Sequence, residues 1–233
     1  MDKIRTVSDT RRAFYQYHTR PINSIYRQVV QELMVEMHLL SVNTDFQPDA
    51  VYAVGVCQSF EQFMTGYKPE EDKTSIFNAL CKAIEANPDD YRHQSESLLN
   101  FVEGKSAEDL VNWLLNPVAD NGLDENIVNS LKSILERERF KYSRLFGIGF
   151  YTLINKVAPD VAKDEEKLAK LIAPYSEKLD LPVDKLKKDV DLYRSNLDKI
   201  NQMLVVIAET IEASKKKRIN IEKTEEKEEA NEN

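Results

Sequence analysis

The stretch HTRPINSIYRQVVQELMVEMHLLSVN, residues 18–43, packs His, Arg, Glu and Met into a single run. Those residue types suit either a catalytic or metal site or a core helix. Projected on a helical wheel, Ile22, Ile25, Tyr26, Val29, Leu33, Met37 and Leu40 gather on one side. Ser24, Arg27, Gln28, Gln31 and His38 fall on the other, which places His38 on a solvated polar face. Glu36 borders the apolar side, where a carboxylate needs an Arg partner, so a structural ion pair is expected. The pattern predicts a long core helix from Pro21 to about Val42, with the missing N–H of Pro21 harmless in the first turn.

The flanking sequence continues in the same style. Only 6 Gly and 8 Pro interrupt 233 residues, and no run of period-2 alternation stands out, so the chain is expected to be all-α. Ser8 is placed to cap a short helix carrying Arg11, Arg12, Phe14, Tyr15 and Tyr17. Asn43 and Pro48 break the long helix; Gly66 and Gly104 stand where left-handed caps end later ones. Pro69 and Pro88 open two more, each followed by acidic residues that suit a helix N-terminus. Shorter helices follow at about 106–115 and 124–137, then the apolar segment 140–159 and a helix over 163–179 disturbed at Pro174.

From Pro182 the character changes. Leu186, Val190, Tyr193, Leu197, Ile200, Leu204, Ile207 and Ile211 alternate steps of four and three, a heptad seam. It could pack back on the body or partner another helix. Three regions are therefore expected: a helical globular body (1–181), a long coiled-coil-like helix (182–214), and a charged low-complexity tail (215–233) expected to be disordered.

Composition and motifs exclude most chemistry. A net charge of −8 argues against broad nucleic-acid binding. No apolar run reaches the roughly 20 residues of a membrane span, and MDKIRTVSDT lacks the features of a leader, so an intracellular protein is expected. Cys57 and Cys81 form no CxxC pair and suit buried positions in a reducing compartment. Three His form no metal cluster: Glu36 and His38 are two apart, and Asp90 near His93 is explained by its place in a first turn. GKS at 104–106 lacks the phosphate-loop Gly five residues earlier; Ser106 and Asp109 instead suit an N-cap and its partner. GIG at 147–149 has no preceding strand, and its small residues suit close approach of another helix. No catalytic residue, metal or cofactor is expected.

Three blocks carry a resemblance. RTVSDTRRAFYQYHTRPINSIYRQVVQELMVEMHLLSVN (5–43), GYKPEEDKTSIFNALCKAIEANPDDYR (66–92) and FKYSRLFGIGFYTLI (140–154) resemble the thylakoid formation, or photosystem II biogenesis, protein family. The start near the signature resembles cyanobacterial members, since plant members carry a plastid transit peptide. The resemblance implies an all-helical body with a long C-terminal helix and no catalytic activity. It further implies an accessory role in thylakoid membrane biogenesis and photosystem II assembly or repair. The implied partners are an FtsH-type membrane AAA protease complex and photosystem II components, with peripheral contact to the thylakoid membrane from the cytoplasmic side. Candidate docking residues are Arg5, Arg11, Arg12 and Arg20 on the N-terminal face, and Lys187, Arg194 and Lys199 on the C-terminal helix. The alternative is a membrane-remodelling protein that lies on lipid through the same C-terminal helix, flanked by Lys185, Lys187, Lys188, Lys199 and Lys215–Lys217.

Overall fold

In a computed structural model, the backbone is described for residues 5–119 and 122–231, and the side chains of those residues except 211 and 217–231. Among the described residues eleven helices and no strands occur: α1 (Val7–Tyr17), α2 (Ser24–Ser41), α3 (Ala50–Phe63), α4 (Glu71–Ala83), α5 (Pro88–Val102) and α6 (Ala107–Leu115). They continue with α7 (Glu125–Leu135), α8 (Arg144–Val157), α9 (Pro159–Lys163), α10 (Glu165–Leu179) and α11 (Val183–Asn231). The all-α expectation holds.

The centre is α3, AVYAVGVCQSFEQF, which is apolar on nearly every side and therefore surrounded. It packs chiefly against α8 and α5. The α3–α8 approach is backbone to backbone: a Cβ on Gly55 would fall on the carbonyl oxygen of Leu145. A Cβ on Gly149 would fall on that of Val51 and lie 2.8 Å from the nitrogen of Gly55. Gly55 and Gly149 are thus what let these two helices touch, whereas the other glycine of GIG, Gly147, faces the Tyr142 hydroxyl and the Leu186 side chain. Phe60, Phe77, Met37, Leu33 and Tyr26 belong to a buried core joining α2, α3 and α4.

Local signals set the helix ends. Asp49 caps α3, Asn87 caps α5 with Pro88 at its first position, and Ser106 caps α6 by accepting from the Asp109 N–H at 3.1 Å. Gly66 and Gly104 take positive φ of 77° and 79°. Two expected starts move. α2 begins at Ser24 rather than at Pro21, with Asn23 capping it by accepting from the Ile25 N–H. Thr6, not Ser8, caps α1, because Asp9 three residues on completes a reciprocal capping box with it.

Two positions of the quoted helix also differ from the wheel. His38 is buried rather than solvated, because the Thr10 hydroxyl on α1 meets its Nδ1 at 2.8 Å and α1 covers it. Ile25 is exposed, while Val30 and Met34 join the core. α2 is covered by α1 as well as by α3 and α4, which turns its buried arc away from the one drawn by apolar spacing alone. Glu36 meets Arg144 on α8, with oxygen Oε2 accepting at 2.6 and 3.0 Å. That is the expected structural ion pair.

Compactness divides the chain into Met1–Tyr193 and Arg194–Asn233. The first unit includes the opening turns of α11, where Leu186, Val190 and Tyr193 are buried. Tyr193 sits edge-on to Phe63 at 5.4 Å, and the Tyr142 hydroxyl donates to Asp189 at 2.9 Å. The first three seam positions therefore belong to the body. The second unit is the remainder of α11, in which Leu197, Ile200, Leu204 and Ile207 stay partly exposed. Its backbone is helical through the charged residues 215–231, whose side chains from 217 onward lie outside the described residues.

Candidate docking surface

The inner side of α1 is fixed by chemistry that leaves its outer side free to bind. Phe14 and Thr10 are fully buried, and the Thr10–His38 hydrogen bond ties α1 to α2. His18, just past the helix, meets the Ser75 hydroxyl on α4 through Nδ1 at 2.9 Å. Burial holds both imidazoles below their ordinary range, so they are neutral hydrogen-bonding groups near neutral pH.

The four N-terminal arginines divide into two pairs. Arg5 donates to the Ala83 carbonyl at 2.8 Å and pairs with Glu85, fastening the chain start to the end of α4. A cation there also satisfies the carbonyl end of the helix. Arg20 pairs at 2.7 Å with Asp72, whose side chain is only 7% exposed. Those two are occupied by the fold. Arg11 and Arg12 point outward; Arg12 reaches Asp9 only at 3.8 Å, and Arg11 makes no ion pair among the described residues. Tyr15 and Tyr17 stand beside them, 42% and 54% exposed, with the Lys82 ammonium 5.7 Å from the Tyr17 ring centre.

The resulting face is cationic and aromatic on a chain of net charge −8. Guanidinium forks bind carboxylates in two-pronged fashion, and tyrosines supply large amphipathic contact area with little rotamer freedom to lose. Such a face suits an acidic protein surface. Tyr15, Tyr17 and Lys82 were not among the sequence candidates. Tyr15 lies four positions from Arg11 and off the Thr10–Phe14 face, a signal that was there to find. Of the C-terminal candidates, Lys187 is half-buried in the first unit, while Arg194 is half-buried and Lys199 exposed in the second.

A cavity of about 410 Å³ between α2, α3 and α5 is lined by Phe46, Asp49, Tyr52 and Tyr91. Its Asp49 carboxylate accepts from the Tyr52 N–H at 3.0 Å as the cap of α3, and burial drives the Tyr52 and Tyr91 phenols far above their ordinary range. Cys57 and Cys81 are buried with thiols pushed up to about 12, which leaves no thiolate. Among the described residues no group of His, Cys, Asp and Glu could hold a metal, and no helix is long and apolar enough to cross a membrane.

Comparison with known proteins matches this chain over most of its length. The family model described as thylakoid formation protein matches residues 6–222. Protein Thf1 of Crocosphaera subtropica is 54% identical over 94% of this chain and 88% of its own length. Protein Thf1 of Rippkaea orientalis is 51% identical over 94% and 93%. The solved structure of Psb29 is 41% identical, superposes with a TM-score of 0.78, and covers 92% of this chain and 98% of that one. The chain belongs to the thylakoid formation protein family, the Thf1/Psb29 family of photosystem II biogenesis.

Proposed function

We propose that this chain is a non-enzymatic adaptor that binds an FtsH-type membrane AAA protease complex and supports its accumulation during photosystem II assembly and repair. It sits peripherally at the thylakoid membrane because its partner is embedded there. The observation that carries the reading is the outer face of α1: Arg11, Arg12, Tyr15 and Tyr17 exposed on a helix whose inner face is locked in place. A docking helix held this way is pre-organised, so little ordering is lost on binding. An adaptor of this kind needs no chemistry. Binding the assembled protease more tightly than its free subunits shifts the equilibrium toward assembly by mass action.

The test is affinity capture of the tagged chain from detergent-solubilised cyanobacterial thylakoids, with mass spectrometry of the captured proteins. Protease subunits should be enriched over a charge-matched control. Arg11→Glu with Arg12→Glu should reduce that enrichment on the order of tenfold or more, since two charge-assisted contacts become repulsive. Capture that is free of the protease, or unchanged by the double substitution, sinks the reading.

A further inference from the structure

The part of α11 after Tyr193 presents a surface that the proposed adaptor role does not use. In the heptad register set by the seam, Leu197 and Leu204 occupy a positions, and Ile200 and Ile207 occupy d positions. Each of the four is only partly covered within its unit. Between Gln202 and Glu209, both at the outermost f position, every residue is apolar: Met203, Leu204, Val205, Val206, Ile207 and Ala208. Val205 and Val206 are 57% and 59% exposed. A helix that is apolar around all but one position is normally enclosed by neighbours on several sides.

We infer that this stretch, 196–214, is the core of a coiled coil made by three or more copies of this chain. Two observations select that occupant. First, the positions flanking the seam are uncharged: Asn196, Met203 and Thr210 at g, Asn201 and Ala208 at e. Heterotypic coiled coils choose partners through opposite charges at e and g, and like charges there prevent self-pairing. The stretch 196–214 has neither device, so within it nothing opposes its own copy and nothing selects another chain. Second, Leu at a with Ile at d disfavours two-stranded packing and shifts preference to three or four strands. The wide apolar arc agrees, because e and g become buried only when more than two helices surround the axis. A lipid surface fits less well. It requires no heptad period, and Asp198, Glu209 and Glu212 would face its anionic headgroups.

Two heptads form few core layers, so assembly depends on concentration. Sedimentation equilibrium of the full chain across a concentration series is the test. Mass should rise reversibly from 26.9 kDa toward three- or fourfold that value. Leu204→Glu with Ile207→Glu should hold the chain at the monomer mass while leaving thermal unfolding of the body within a few degrees, since neither residue belongs to the first unit. Gln202→Lys, at the outer position, should leave the mass curve unchanged. A mass confined to one or two copies overturns the inference, as does an oligomer that survives the double substitution. A monomer that floats with phosphatidylcholine–phosphatidylglycerol vesicles through this stretch also overturns it, by showing that lipid is the covering surface.

Discussion

At the residue scale, Asp49 shows how one side chain can serve the fold at a cost that depends on pH. It caps α3 while only 2% exposed, and burial lifts its carboxyl to about 7 despite the bonds from the Tyr52 and Val51 N–H groups and the nearby Arg137. A carboxyl whose folded pKa lies above its unfolded value keeps a proton on the native state that the unfolded state has lost. Stability therefore falls as pH rises from about 4 to about 7, and the full loss, roughly 4 kcal/mol, is reached above that window. Asn caps as well as Asp does and does not titrate. Asp49→Asn should be more stable than the parent at about pH 8, with the advantage shrinking toward pH 4. Urea unfolding at the two ends checks this, and a parent that wins at the alkaline end would refute it. The cysteines make a simpler case. With both thiols buried and pushed up to about 12, neither should react with an aromatic disulfide reagent until the chain unfolds. Rapid labelling of the native protein would contradict that.

At the element scale, what could be read in advance depended on how far away the deciding partner lay. Caps, glycine stops and the N-terminal Pro88 are settled within four residues, and Ser106, Gly104 and Asn87 behaved as local chemistry dictates. Glu36 could be assigned an Arg because its position at the edge of the apolar face required one, although only the fold names Arg144. His38 could not be placed, since its partner Thr10 is 28 residues away and arrives with a different helix. The exposure of the N-terminal arginines was half legible for the same reason: whether an arginine is free or engaged depends on Asp72 and Glu85, in or near α4. Of the glycines at the α3–α8 crossing, Gly149 stood out as a small residue within GIG and Gly55 did not, and only the structure shows how tight the crossing is. A methyl group on Gly55 or Gly149 meets backbone, which cannot swing aside. Gly149→Ala should therefore cost about 3 kcal/mol or more, at the upper end of overpacking, although Ala is the better helix former. Chemical denaturation would show it, and a neutral or stabilising result would mean the two helices can separate.

At the scale of the whole molecule, the long helix joins two regimes of burial. Its first turns are core: Leu186 and Val190 are buried, and Tyr193 completes an aromatic pair with Phe63. Beyond Tyr193 the same seam continues with partly exposed residues, and the compact units divide there rather than at the Pro182 turn where the sequence changes character. The two stretches should therefore respond oppositely to truncation. A chain ending at Ile200 keeps every buried residue of the first unit and should unfold at a midpoint within a few degrees of the full chain. A chain ending at Leu181 loses Leu186, Val190 and Tyr193, each contributing about 1.5–3 kcal/mol on burial. It also uncovers Gly147, against which the Leu186 side chain packs, and leaves Phe63 without its ring partner. The combined loss of roughly 5 kcal/mol or more is comparable to the entire stability of a typical domain, so the shorter chain should be largely unfolded or lack fixed packing. Near-ultraviolet circular dichroism and thermal unfolding of the two truncations separate the cases. If both fold alike, the start of α11 is dispensable to the body; if both fail, residues beyond Ile200 support it in a way their exposure does not reveal.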